Sequence, residues 1–170
     1  MSKRPEPNLR TRALQYLARR EYSRAELRSK LLPHVQADES FESQPQENLE
    51  VLLDDLTARG WLSEERAVTQ LLHAKRSRFG SQRIAHELRQ KGFSERLIDE
   101  AMPQLKESEF AAAQAVWQKK FGVLPQDQKE KARQVRFLQA RGFSMDVIFK
   151  VMRLSGSAAD EGFKSGVNSR

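Results

Sequence analysis

The string Glu87-Leu88-Arg89-Gln90-Lys91-Gly92-Phe93-Ser94 returns fifty residues later as Phe137-Leu138-Gln139-Ala140-Arg141-Gly142-Phe143-Ser144. The register holds beyond it, with Leu97, Ile98 and Met102 matching Val147, Ile148 and Met152. An earlier echo, Glu26-Leu27-Arg28-Ser29-Lys30, aligns with Glu87-Leu88-Arg89-Gln90-Lys91 at an offset of 61. A repeated unit of this length cannot bury its apolar face alone, whereas stacked copies bury a continuous core. That one feature restricts the chain to a tandem array.

The unit is helical. Leu49, Leu52, Leu53 and Leu56 fall on one face of a 3.6-residue helix, as do Ala67, Val68, Leu71 and Leu72. Leu97, Ile98, Ala101 and Met102 repeat the pattern, and Val147, Ile148, Val151 and Met152 repeat it again. Phe110, Ala113 and Trp117 form a further core stripe, which Phe121 extends. Ser23-Arg24-Ala25-Glu26 has capping-box spacing, and Ser63, Ser81, Ser94 and Ser144 stand where helices begin. Gly60, Gly92 and Gly142 follow helical runs, at positions suited to a left-handed stop.

The expected fold is therefore all-α: an elongated, curved array of three tandem three-helix repeats. About nine helices are expected, near 8–20, 23–32, 46–59, 63–78, 81–91, 94–102, 106–121, 126–141 and 144–154. Repeat one covers 9–60, repeat two 61–105 and repeat three 106–154, between a flexible 1–8 and a loose tail, 155–170. Phe93 and Phe143 plug the corners of their repeats, and Trp61 is expected to do the same between repeats one and two. The polar insertion at 34–46 replaces the Gly-Phe-Ser turn in repeat one and reads as a mobile acidic loop.

Charge is distributed unevenly. With 30 Lys and Arg against 23 Asp and Glu, the formal net charge is +7, which speaks about partners rather than fold. Residues 38–56 carry seven acidic side chains and no basic one. Residues 71–91 carry Lys75, Arg76, Arg78, Arg83, Arg89 and Lys91 against Glu87 alone. Residues 129–141 carry Lys129, Lys131, Arg133, Arg136 and Arg141 against Glu130, just after Lys119 and Lys120. Scattered surface charge contributes little, but two clusters separated by one repeat length predict a basic stripe facing phosphates or acidic groups.

Chemistry for catalysis is missing from the pattern. With no Cys there is no disulfide, thiolate metal site or cysteine nucleophile. His34, His73 and His86 lack helical zinc spacing, and no Gly-rich phosphate loop or Gly-x-Ser-x-Gly occurs. Asp54 and Asp55 point about 100° apart on a helix and read as solvated. The N-terminus lacks a secretory pattern, and no apolar run approaches the ~20 residues of a membrane span. A monomeric, cytoplasmic protein without catalytic residues, metal or cofactor is expected.

The order of these motifs resembles the bacterial RecX family over residues 9–154. The resemblance is carried by Ala13-Leu14-Gln15-Tyr16-Leu17-Ala18-Arg19-Arg20 with Ser23-x-x-Glu26-Leu27-x-x-Lys30-Leu31, and by Gly60-Trp61-Leu62-Ser63-Glu64-Glu65-Arg66-Ala67. It continues through Arg83-Ile84-x-x-Glu87-Leu88-Arg89-Gln90-Lys91-Gly92-Phe93-Ser94 and Arg136-Phe137-Leu138-x-x-Arg141-Gly142-Phe143-Ser144-x-Asp146-Val147-Ile148. The family more often carries an acidic residue where Ser63 and Glu64 stand. The resemblance implies a non-enzymatic regulator that lies in the groove of the RecA–single-stranded DNA filament. There it limits ATP turnover, strand exchange and co-protease activity. The expected contact residues are Lys75, Arg76, Arg78, Arg83, Arg89, Lys91, Lys119, Lys120, Arg133 and Arg136. A free-standing helical DNA-binding protein acting without RecA, and a generic protein scaffold, are the competing readings.

Overall fold

The structure, a computed structural model, describes residues 7–37 and 45–164. Among these residues it is entirely helical: α1 (Leu9–Leu17), α2 (Arg24–Leu31), a 3-10 helix (Leu32–Ala37), α3 (Pro45–Ala58), α4 (Glu64–Lys75), α5 (Ser81–Gln90), α6 (Glu95–Lys120), α7 (Gln128–Ala140) and α8 (Met145–Lys164). Eight α-helices thus stand where about nine were expected. The helices expected at 94–102 and 106–121 are one 26-residue helix that passes through Pro103. Helix α8 continues to Lys164, past the point where a loose tail was expected. The acidic insertion lies largely outside the described residues, although 34–37 belong to the 3-10 helix and α3 begins at Pro45.

The helices begin where the sequence supplies acceptors. At α2, Ser23 Oγ accepts the Glu26 N–H while Glu26 accepts the Ser23 N–H, a reciprocal capping box. Asn8 and Asp127 cap α1 and α7 through their side-chain oxygens. Ser63 and Ser94 accept the N–H groups of Arg66 and Leu97.

The chain divides into two compact units. One is formed by 1–71 with 88–97, the other by 72–87 with 98–170, so the division falls inside α4, α5 and α6. The first unit's core contains Leu9, Ala13, Tyr22, Leu27, Leu31, Val35, Leu49, Leu52, Leu53, Leu56 and Leu62. The second unit's core contains Ala112, Ala113, Trp117, Leu138, Phe143, Ile148, Val151 and Met152. Each fully buried Leu or Ile contributes about 1.5–3 kcal/mol relative to exposure.

Phe93 and Phe143 are buried as expected, but Trp61 is not. It is 43% exposed beneath the Arg59 guanidinium, 5.4 Å from its ring centroid, and its neighbour Leu62 fills the core instead. The left-handed Gly60 turn is closed by the N–H groups of Trp61 and Leu62, which both donate to the Leu56 carbonyl, and of the two side chains that of Leu62 enters the core.

One packing device occurs once in each unit. In the first, the turn after α5 lies against the start of α2: a Cβ on Gly92 would come within 2.6 Å of the Ala25 Cβ, and Ser23 Oγ donates to the Lys91 carbonyl. In the second, the turn after α7 lies against the start of α5. The Gly80 N–H donates to the Arg141 carbonyl at 2.9 Å, and the Gln82 N–H to that of Gly142. Cβ atoms on Gly80 and Gly142 would overlap the Gly142 carbonyl and Arg83 respectively. The recurring Gly-Phe turn is therefore where the end of one helix packs closely against the start of another.

Candidate functional site

The glycine crossing in the second unit decides where its cations stand. It brings Arg83, at the start of α5, beside Arg141, at the end of α7, and Arg83 Nη1 donates to the Ala140 carbonyl at 3.1 Å. Phe79 lies among them. Its ring has the Arg83 guanidinium at 4.4 Å, with Lys75, Arg141 and Arg78 between 5.5 and 6.0 Å. Arg141 also lies 4.8 Å from the Phe137 ring, and Lys120 lies 5.9 Å from it. Phe137 meets Phe121 edge to face at 5.3 Å, with Arg133 over the Phe121 ring at 5.6 Å. Cationic side chains are attracted to the faces of aromatic rings, which orders them.

Beneath this surface sits Glu109, a buried carboxylate on α6. Its Oε1 accepts the N–H groups of Ser81 and Ser144, both at 3.2 Å, and its Oε2 accepts the Ser81 hydroxyl at 3.0 Å. Ser81 and Ser144 therefore begin α5 and α8 on a shared carboxylate supplied by a third helix.

An open cleft of about 430 Å³ lies in the same unit, lined by Ser77, Arg78, Ala115, Val116, Lys119, Lys120, Phe137 and Arg141. Its lining combines the apolar Ala115, Val116 and Phe137 with four cations and Ser77. Lys119 and Lys120 close α6, where the negative end of the helix dipole favours them.

The two units treat their charges differently. In the first, Arg10 and Arg59 pair with Asp55, Arg20 and Lys91 with Glu26, and Arg24 and Arg28 with Glu50. Arg24 also meets Asp54, Arg66 meets Glu21, and Arg89 meets Glu95. Burial would raise the Glu26 carboxyl, but Arg20, Lys91 and the Ser23 N–H outweigh it and hold the group below its ordinary range. Hydrogen bonds from Arg24 and Arg28 lower Glu50, bonds from Arg59 and Arg10 lower Asp55, and a bond from Arg89 lowers Glu95.

In the second unit Lys75 meets Glu87 at 3.4 Å. Among the described residues, no carboxylate pairs with Arg76, Arg78, Arg83, Lys119, Lys120, Arg133, Arg136 or Arg141. Of the ten residues expected to make contacts, eight thus belong to this unit, while Arg89 and Lys91 belong to the first and are ion-paired there. Sequence reasoning gave Arg141 no contact role and overlooked the aromatic hub Phe79 and the buried Glu109. Arg141 had a usable signal, since it immediately precedes the recurring Gly-Phe turn.

Among the described residues, no grouping of three or more His, Asp or Glu fits a metal ion. Nor is any helix there long and apolar enough to cross a membrane.

Comparison with known proteins gives a consistent picture. Residues 63–102 match the family model for the second three-helix domain of RecX, and 107–152 match that for the third. The four residues between these matches lie within α6, so one helix carries the join. The Regulatory protein RecX of Leptothrix cholodnii is 45% identical over 94% of this chain and 96% of its own length. That of Ralstonia nicotianae is 41% identical over 91% of this chain and 92% of its own. The crystal structure of RecX from Lactobacillus salivarius superposes with a TM-score of 0.69 over 87% of this chain and 94% of that one, at 14% identity.

Proposed function

Because the chain belongs to the RecX family, we propose that it is a non-catalytic regulator of the RecA recombinase. It docks the basic face of its second unit on the RecA–single-stranded DNA filament and restrains ATP turnover, strand exchange and co-protease activity. The family of regulatory proteins is given by the comparisons; the mode of action is our reading. One observation carries it: the first unit pairs most of its cations with carboxylates, whereas among the described residues the cations grouped around Phe79 and Phe137 in the second, Lys75 apart, have no carboxylate partner.

Like charges gathered without counter-charges cost stability in the free protein. The cost is recovered when an anionic partner lies against them, and a filament that carries DNA supplies one. Phosphate contacts release counterions, so binding falls steeply with salt. The domain partition expected from the sequence gives this proposal its modular form, with repeats two and three supplying the basic helices.

The test is a titration into preformed RecA–single-stranded DNA filaments, following ATP hydrolysis, with naked DNA bound in parallel. The proposal expects ATP turnover to fall and the protein to prefer coated over naked strands. Equal affinity for both would favour the free-standing DNA-binding reading. No change in ATP turnover would leave only a scaffold.

A further inference from the structure

The cleft formed by α6, α7 and the α4–α5 connection has features that electrostatic docking alone does not require. A surface that only neutralises phosphates needs cations and water. This one brings Ala115, Val116 and the half-buried Phe137 into one lining with Arg78, Arg141, Lys119 and Lys120. Its volume falls within the ~300–1,000 Å³ range of ligand pockets. The Arg141 guanidinium lies over the Phe137 ring, so two of the lining residues present delocalised groups side by side.

We propose that this cleft is a nucleotide subsite: it receives one unstacked base of a single strand against Phe137 and Val116. The flanking phosphates are held by Arg78 and Arg141 and by Lys119 and Lys120. The inference deepens the docking proposal and rests on it for biological context, though not for its chemistry. Three observations point to a single strand. The floor is apolar and bounded by an aromatic ring, which suits a base face. Every charged residue of the lining is a cation and none has a carboxylate partner among the described residues, which suits phosphodiesters. A duplex hides its base faces in its own stack, so an apolar floor offers it nothing. An acidic peptide would satisfy the rim but leave the aromatic wall without a role.

The test uses the full chain and fluorescence anisotropy with three probes: a short oligo-deoxythymidine, an abasic strand of equal length, and an oligo-glutamate peptide. The wild type is expected to prefer the thymidine strand over the abasic one by roughly five- to hundredfold, the value of one stacked base. Phe137→Leu, which keeps an apolar side chain at this half-buried position, is expected to remove that preference.

Ala115 is exposed, so Ala115→Glu places a carboxylate in the cleft without disturbing packing. It is expected to weaken thymidine binding at least tenfold at an unchanged melting temperature. Lys119→Ala with Lys120→Ala is expected to reduce the slope of log affinity against log salt by about 1.4, for two lost phosphate contacts at ~0.7 each. Equal affinity for the thymidine and abasic strands overturns the subsite, as does tighter binding of the oligo-glutamate.

These outcomes separate from those of the docking proposal. A wild type that inhibits RecA but ignores the base defeats only the subsite. One that prefers bases but leaves RecA untouched defeats only the docking.

Discussion

Gly80 and Gly142 allow two backbones to meet where side chains cannot. Any Cβ at Gly142 strikes Arg83, and its φ of +83° adds a conformation that L-residues avoid. Gly60 has a similar φ of +70° but open space around it. Gly60→Ala is therefore expected to cost about 1–2 kcal/mol, from the left-handed backbone alone. Gly142→Ala adds an overpacking term of about 1–3 kcal/mol and should be clearly worse. Urea denaturation of the two variants checks the order, and equal losses would deny the backbone contact.

Glu109 makes a second residue-scale case, because its partners are two N–H groups and a hydroxyl rather than a cation. Glu109→Gln keeps a carbonyl oxygen for both N–H groups and is expected to cost about 1–2 kcal/mol. Glu109→Leu leaves buried donors without acceptors and is expected to cost at least twice as much. If the two substitutions cost the same, charge rather than hydrogen bonding would be the role of Glu109.

Among the elements, α6 carries the largest departure from expectation. Pro103 reads as a break between two helices, since proline lacks the N–H and crowds the preceding turn. The helix runs through it because strong helix formers surround it and apolar residues on both sides, Ala101 and Leu105, are buried. Replacing Pro103 with Ala is expected to raise stability by roughly 2 kcal/mol, being the helix penalty of proline less the unfolded-state freedom regained. Thermal unfolding measures it, and a lower melting temperature would mean that the helix depends on the proline.

Helix starts, core faces and the Gly-Phe turns were legible in the sequence because capping, periodicity and repetition are local signals. Trp61 was misplaced because periodicity does not say which of two adjacent apolar residues, Trp61 or Leu62, the turn sends inward. Glu109 was invisible because its partners lie 28 and 35 residues away along the chain. The cation clusters could be read from composition. Their separation into the matched group around Glu26 and Glu50 and the unmatched group around Phe79 could not, since pairing depends on which helices meet.

Across the whole molecule, opposite charges pair in one unit while like charges gather in the other. Glu26, Glu50, Asp55 and Glu95 are held below their ordinary ranges by their pairings, and all lie in the first unit. A lowered carboxyl contributes stability that is complete above its unfolded value, 4.5 for Glu and 3.8 for Asp. That contribution is lost as pH falls through the folded value. Hydrogen-exchange protection of α1, α2 and α3 is therefore expected to weaken on going from neutral pH to about pH 3. Unchanged protection there would mean that these mostly exposed pairs contribute nothing, as isolated surface pairs often do.

The unmatched cations carry the central claim. The most direct measurement compares the wild type with the combined Arg76→Glu, Arg78→Glu and Arg83→Glu variant, following RecA ATP hydrolysis on single-stranded DNA. The account predicts that the variant keeps its helical circular-dichroism spectrum while its inhibition disappears. A folded variant that inhibits as fully as the wild type would contradict it.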